Sequence, residues 1–481
     1  MMVKSTRSDE RVTPSMAILN GLAKDGGLYV FESIPKIDIK QLTNASYTDV
    51  AKVVFGLLLD DFSQERLNDI IDQTYNSNLF HPAPITMTHH KNHSYLNLYH
   101  GETLAFKDMA LSILPKLIQE AKQINGIDKP SIVLTATSGD TGSAALAGFQ
   151  QNKDDYVFVL YPTQGVSSFQ EKQMNQLQND QCTVYAIDGN FDDCQTIVKT
   201  LFQSITLTNT TLVSANSINI GRLVPQITYY VYAYTKLVQD HVIPQLEPID
   251  VVVPTGNFGN IYAAYIAKQM GVPFDTLTIA SNTNNVLHDF FQTGSYTIKR
   301  PLYKTISPSM DIIISSNLER YLYTLFNHDA SALQQAMTTL QSTGELHIDV
   351  VKHQTTFDSG MATEQETLQT IKDTFLNQGT VIDPHTAVGT YVYHHTPHNH
   401  HTIIVATASP FKFIDAMEDA LDIEPSGDLQ SRLQRFAGHV HIPFPARINH
   451  IASYTLEQKQ ILTKDEAMTI IRQKVGIIDE N

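Results

Sequence analysis

Cysteine is scarce in this chain: its 481 residues include only Cys182 and Cys194. Two thiols exclude a disulfide framework and a four-thiolate metal site. They read as small packed side chains in a reducing compartment. Basic residues are also few, with 33 Lys and Arg against 49 Asp and Glu and a net charge of -16. Such a surface repels polyanions, so neither nucleic acid nor an anionic membrane is an expected partner. A local site can still be positive on an acidic protein, and an anionic small-molecule substrate is compatible with the charge. No run approaches the roughly 20 apolar residues of a membrane span, and the start of the chain lacks the pattern of a secretory signal. The expected location is cytoplasmic. Charged residues make up 17% and hydrophobic residues 42%, a balance that argues against long disorder.

The length admits two to four domains. Residues 1–80 read as a small N-terminal domain with a Gly-rich loop, Asp25-Gly26-Gly27, and helical patterns over 47–59 and 64–75. Ser46 and Ser63 stand where helix caps belong. The two prolines of His81-Pro82-Ala83-Pro84 read as a linker. Across 81–424, apolar runs at 95–99, 131–135, 156–161, 183–187, 250–253, 276–280 and 402–406 predict strands. Helical patterns at 106–120, 143–151, 169–177 and 262–270 fall between most of them. This alternation predicts an α/β core with largely parallel sheets covered on both faces. Chemistry is then expected in loops at the carboxyl ends of strands. Residues 425–481 read as a helical tail, with patterns at 456–462 and 464–475.

Four segments at such positions carry candidate chemistry. In the first, Leu98 to Leu111, a strand passes Gly101 and opens a helix at Lys107. On a continuous helix Lys107 shares a stripe with Leu104, Leu111 and Leu114, where an unpaired ammonium is costly. A lysine snorkelling to solvent gives the same pattern; so does a buried amine of lowered pKa, ready to form a Schiff base. Asp108 suits the first turn of a helix and needs no catalytic role. The second segment runs from an apolar strand through Thr255-Gly256-Asn257-Phe258-Gly259-Asn260 into a helix. It is either a tight turn or a phosphate cradle of backbone N–H groups, and it lacks the Lys of a nucleotide-hydrolysing loop. The third, Thr137-Ser138-Gly139-Asp140-Thr141-Gly142, offers hydroxyls and a helix start, suited to a carboxylate as well as to simple capping. The fourth, Asn216-Ser217-Ile218-Asn219-Ile220-Gly221-Arg222, holds an arginine that could grip a phosphate or close a structural turn.

Together, in this order, Leu-Ala-Phe-Lys107-Asp, Thr-Ser138-Gly-Asp140-Thr141-Gly, Ser-Ala-Asn216-Ser217-Ile-Asn-x-x-Arg222 and Gly256-Asn257-Phe258-Gly259-Asn260 resemble the threonine synthases of the longer bacterial and fungal type. The opening Ser5-Thr6-Arg7, Asp25-Gly26-Gly27, Gln170-Glu171-Lys172-Gln173, Asp383-Pro384-His385-Thr386 and Thr407-Ala408-Ser409-Pro410 extend the resemblance over about residues 5–415. It implies the fold-type II core of pyridoxal 5'-phosphate (PLP) enzymes, two α/β lobes with the smaller at about 108–212. It implies conversion of O-phospho-L-homoserine and water to L-threonine and phosphate. Lys107 is then the lysine that binds the cofactor covalently and shuttles protons. Gly256, Asn257, Phe258, Gly259 and the adjoining Asn260 hold the PLP phosphate, Thr407 lies beside the pyridine nitrogen, and Asp140 meets the cofactor edge. Ser138 and Thr141 face the substrate carboxylate, and Asn216, Ser217 and Arg222 receive the substrate phosphate. Ser409, Glu102 and Thr163 depart from the family pattern, which has His, Pro and a basic residue there. The alternatives are a phospho-lyase on the same fold, releasing a 2-oxoacid and ammonia, and a non-catalytic sensor of a phosphorylated amino acid. A crowd of histidines, His394, His395, His398, His400 and His401, reads as a solvated loop in preference to a metal site, and no metal is expected.

Overall fold

The computed structural model describes residues 1–480 apart from 151, 153, 154, 164, 349–355 and 457–459. Two largely parallel sheets organise the chain. One runs Phe357–Met361, Phe274–Ser281, Ile249–Pro254, Thr402–Ala406, His93–Asn97 and Thr86–His89, with only the last strand antiparallel. The other runs Ile461–Leu462, Cys182–Ile187, Asp155–Pro162, Ser131–Ala136 and Thr211–Val213, parallel throughout. Every residue of Ile249–Pro254, Thr402–Ala406 and Ser131–Ala136 is buried. Strands covered on both faces read as unbroken apolar runs, which is how the sequence announces them. Two lobes of the fold-type II α/β class result.

The N-terminal segment adds a three-stranded sheet and the helices Pro14–Asn20, Tyr47–Leu58 and Gln64–Thr74. Ser46 and Ser63 cap the latter two, accepting from the N–H groups of Asp49 and Arg66. Both cysteines are buried and free; burial pushes their thiols up to about 12, so they are inert packing residues. No helix among the described residues is long and apolar enough to cross a membrane.

Four local expectations change. The helix predicted over 106–120 is two helices, Asp108–Leu111 and Leu114–Ile124. Pro115 has no N–H to give the Leu111 carbonyl, so the first helix cannot run on. The freed carbonyl is met by Gly148, where a Cβ would lie 2.1 Å from that oxygen. Lys107 therefore sits at the start of a short helix, and Leu104, with φ of 62°, lies outside it. The lysine's burial comes from Asp140 and Ser309, which close over it from distant segments, not from a helical stripe. In the tail, the pattern at 456–462 falls partly on 457–459, outside the described residues, and Ile461–Leu462 is a strand completing the smaller sheet. Two apolar residues carry no periodicity, and only their partner strand reveals them. Of the histidines, His394 and His395 close the helix Pro384–His395, while His401 hydrogen-bonds Ser94 Oγ at 2.8 Å. The helix predicted over 143–151 spans Asp140–Phe149, and Gln151 is outside the described residues.

Candidate active site

Loops at the carboxyl ends of strands from both sheets converge between the lobes. Behind His93–Asn97, the chain makes a tight passage to Lys107 that is stitched to the end of Thr402–Ala406. The Phe106 N–H donates to the Thr407 carbonyl (2.8 Å), that of Ser409 to Leu104 (3.0 Å), and that of Leu98 to Ala406 (3.0 Å). Asp108 is buried and accepts from the N–H (2.9 Å) and hydroxyl (2.5 Å) of Thr103, which locks the turn. This pairing brings Thr407, buried itself, beside the Lys107 segment although 300 residues separate them in sequence.

From the smaller lobe, Ser131–Ala136 ends in Thr137, whose hydroxyl accepts from the N–H groups of Gly139 (2.9 Å) and Gly142 (2.8 Å). That fold of the loop aims Asp140 at the cleft. Lys107 Nζ donates to Asp140 Oδ2 and to Ser309 Oγ, each at 3.2 Å. Ser309 Oγ in turn donates to Asp140 Oδ2 at 3.0 Å. The other oxygen, Oδ1, takes Gln170 Nε2 at 2.9 Å and Lys412 Nζ at 2.8 Å. Burial by itself would raise the Asp140 carboxyl, but Lys107 and Lys412 outweigh it and hold the group well below the usual range. Burial lowers the Lys107 amine; Asp140 opposes this, and the charges of Lys412 and Arg222 add to it. A lysine depressed in this way is better suited to act as a nucleophile or base than an exposed one. Ser138 and Thr141, both half-buried, flank Asp140.

Arg222 starts the helix Ile220–Gln239 and is 2% exposed. Its Nη1 donates to the Ala215 carbonyl at 2.7 Å, and its Nε has no partner. Burial lowers this guanidinium to about 10. A buried cation with an orphaned donor suits an anion, since neither solvent nor a carboxylate neutralises it. Asn216 and Ser217 precede it: Asn216 Oδ1 lies 3.5 Å from Thr135 Oγ1, and Ser217 Oγ accepts from Asn317 Nδ2 at 3.1 Å.

The Gly-Asn loop follows Ile249–Pro254 and leads into the helix Gly259–Met270. Phe258 caps that helix in the left-handed region, φ 62°; its ring is held among Phe291, Tyr321 and Phe357, which compensates the strain. Ser315 Oγ donates to the Gly256 carbonyl (2.7 Å) and Asn317 Nδ2 to the Asn257 carbonyl (2.9 Å). The carbonyls are thus taken on the outside of the loop, leaving its N–H groups for an anion. Asn260 turns into the core, where its Oδ1 accepts the hydroxyls of Tyr229 and Tyr230. At Gly256 a Cβ would come within 2.9 Å of the Ser309 carbonyl, and at Gly259 within 3.3 Å of Asn317 Nδ2. Gly256→Val should therefore weaken PLP binding more than Gly259→Val. Overpacking of about 1–3 kcal/mol predicts a Kd raised roughly 5- to 150-fold. Equal PLP affinity in titrations of the wild type and Gly256→Val would contradict a cofactor cradle here.

Sequence reading missed Lys412, Ser309, His385 and Gln173 as members of the site. His385 Nε2 accepts from the Ser309 N–H (3.1 Å) and its Nδ1 meets Asp383 Oδ1 (2.8 Å), so Asp383 holds the imidazole that steadies Ser309. Asp383-Pro-His385 and Gln170-Glu-Lys-Gln173 stood out only as landmarks of resemblance. Lys412 and Ser309 sit in segments with no motif signal.

The fit to PLP chemistry rests on these observations: a largely buried amine, a loop glycine, Gly256, with no room for a Cβ, and a buried arginine with a donor to spare. Comparison with known proteins points the same way. Family models match in sequence order: "Threonine synthase N terminus" over 3–75, "Pyridoxal-phosphate dependent enzyme" over 95–407 and "Threonine synthase, C-terminal" over 386–467. Threonine synthase of Pseudomonas aeruginosa is 35% identical over 84% of this chain and 86% of its own. Human threonine synthase-like 1 is 37% identical over 87% of this chain, which spans 59% of that protein's length. The crystal structure of PLP-bound threonine synthase from Brucella melitensis superposes with a TM-score of 0.88 at 32% identity, covering 100% of both chains. The yeast enzyme gives 0.87 at 29% identity, over 99% of this chain and 98% of its own. By sequence over nearly its whole length and by fold, the chain belongs to the threonine synthase family of PLP-dependent enzymes.

Proposed function

We propose that the protein is a PLP-dependent lyase that converts O-phospho-L-homoserine and water to L-threonine and phosphate in the cytoplasm. The observation that carries this reading is the pairing in one cleft of a depressed, buried lysine with a buried arginine whose Nε is unpartnered. The first suits proton shuttling and the second a phosphate. When bound, PLP would supply an electron sink; Lys107 would hold it covalently, the loop of Gly256, Asn257, Phe258 and Gly259, braced by Asn260, would hold its phosphate, and Thr407 would meet its pyridine side. A hydroxyl at Thr407 leaves that sink weaker than a carboxylate would. Lys107 takes the α-proton of the substrate and can return a proton further along its carbon chain. Ser138 and Thr141 orient the substrate carboxylate, and Asp140 holds the Lys107 ammonium in line between transfers. Arg222, with Asn216 and Ser217, stabilises the phosphate as it leaves. The closed-in position of Lys107, whose side chain is 11% exposed, limits water to a late step, where it adds to the β-carbon.

Product analysis tests the proposal. The PLP-loaded protein incubated with O-phospho-L-homoserine should yield L-threonine and phosphate in equal amounts. A 2-oxoacid with ammonia in place of threonine would make it a phospho-lyase, and binding without phosphate release would make it a sensor.

A further inference from the structure

Lys412 is the most completely enclosed lysine in the site, at 0% exposure. It comes from the turn Pro410–Phe413, directly after the Thr407 loop. Its three N–H donors meet three acceptors: Asp140 Oδ1 (2.8 Å), the Thr103 carbonyl (2.6 Å) and Gln173 Oε1 (3.2 Å). An ammonium held on every side in this way is fixed in place. Lys107, by contrast, has two partners, Asp140 and Ser309, and must give up its proton to act. Asp140 thus stands between Lys412 on one oxygen and the working amine of Lys107 on the other. Resting on the proposed role of Lys107, we propose that Lys412 is a positioning residue that keeps Asp140 paired whatever the state of Lys107, so that Lys107 can become a neutral amine without leaving a buried carboxylate uncompensated.

The alternative design, a single Lys–Asp pair, would trap the proton on Lys107, because discharging it would strand a buried anion. The charged and titratable groups around the pair are consistent with this division. Arg222 adds a second cation toward Lys107. His385, tied to Asp383, approaches Asp140 behind Ser309. Asp108, on the other side, is satisfied by Thr103, the residue whose carbonyl holds Lys412.

The test reads the Lys107 proton directly in the full chain stripped of cofactor. Trace acetylation with acetic anhydride across a pH series, with the Lys107 peptide measured by mass spectrometry, gives the midpoint at which its amine becomes neutral. Lys412→Met should raise that midpoint by about 1–2 pH units, the usual effect of a carboxylate left to one partner. In Asp140→Asn the midpoint should fall, since Lys412 and Arg222 then face Lys107 unopposed, and adding Lys412→Met to that variant should bring it back up toward the wild-type value. A midpoint in Lys412→Met equal to that of the wild type overturns the proposal. Should Lys412→Met fail to fold, the double variant decides against the wild type, since it removes the pair as a neutral unit and should titrate within about half a unit of it. A double variant whose midpoint stays as low as that of Asp140→Asn overturns the proposal, since Lys412 would then not offset the carboxylate. The readout involves no turnover, so it succeeds or fails independently of which product the enzyme makes.

Discussion

Lys107→Ala should lose turnover by on the order of 10^4-fold or more, since one change removes both the covalent attachment and the proton shuttle. The fold should survive. Without Lys107, the Asp140 carboxylate still has Lys412, Gln170 and Ser309, so no buried charge is stranded. The variant should bind PLP non-covalently and show no borohydride-reducible linkage. Peptide mapping of the reduced wild-type protein checks the assignment. Cofactor trapped on another lysine, with Lys412 the nearest candidate in the cleft, would sink it.

Arg222→Ala should lower kcat/KM for O-phospho-L-homoserine roughly 30- to 1000-fold, the equivalent of about 2–4 kcal/mol for a buried charge-assisted contact. Arg222→Lys should restore only part of this, because a point charge cannot reproduce the planar fork. PLP occupancy should stay near wild type in both, as the cofactor phosphate is assigned to the Gly256–Gly259 loop. One structural cost is expected besides: the Ala215 carbonyl loses its donor. Steady-state kinetics with PLP content measured by absorbance separates the outcomes. Loss of PLP from Arg222→Ala would move the arginine to the cofactor, and full activity would remove it from the site.

Much of the core was legible because buried parallel strands are apolar runs of the right length, and the ends of such strands bear loops rich in Gly, Asn and hydroxyls. The runs at 131–135, 250–253 and 402–406 mark strands to within about a residue. Short strands such as Thr211–Val213 and Phe357–Met361 escaped. The first is too brief for a pattern, and Phe357–Met361 carries Asp358 and Gly360, which read as a turn.

From its own residues, the chain determines most of its strands and helices, the glycine loops suited to an anion, and the lysine and arginine proposed for the chemistry. Local sterics and burial act within a few residues, so they leave a mark in the string. Only the tertiary structure decided which charges face each other. Lys107 is buried because Asp140 and Ser309, from distant segments, close over it, and the helical stripe that would explain its burial does not exist once Pro115 breaks the helix. Lys412, 272 residues beyond Asp140 by their numbers, leaves no local signal at all. Its role exists only where two loop ends from different sheets meet at 2.8 Å, because a Coulomb interaction depends on distance in space and on the solvent excluded between the partners, and neither is written in sequence separation.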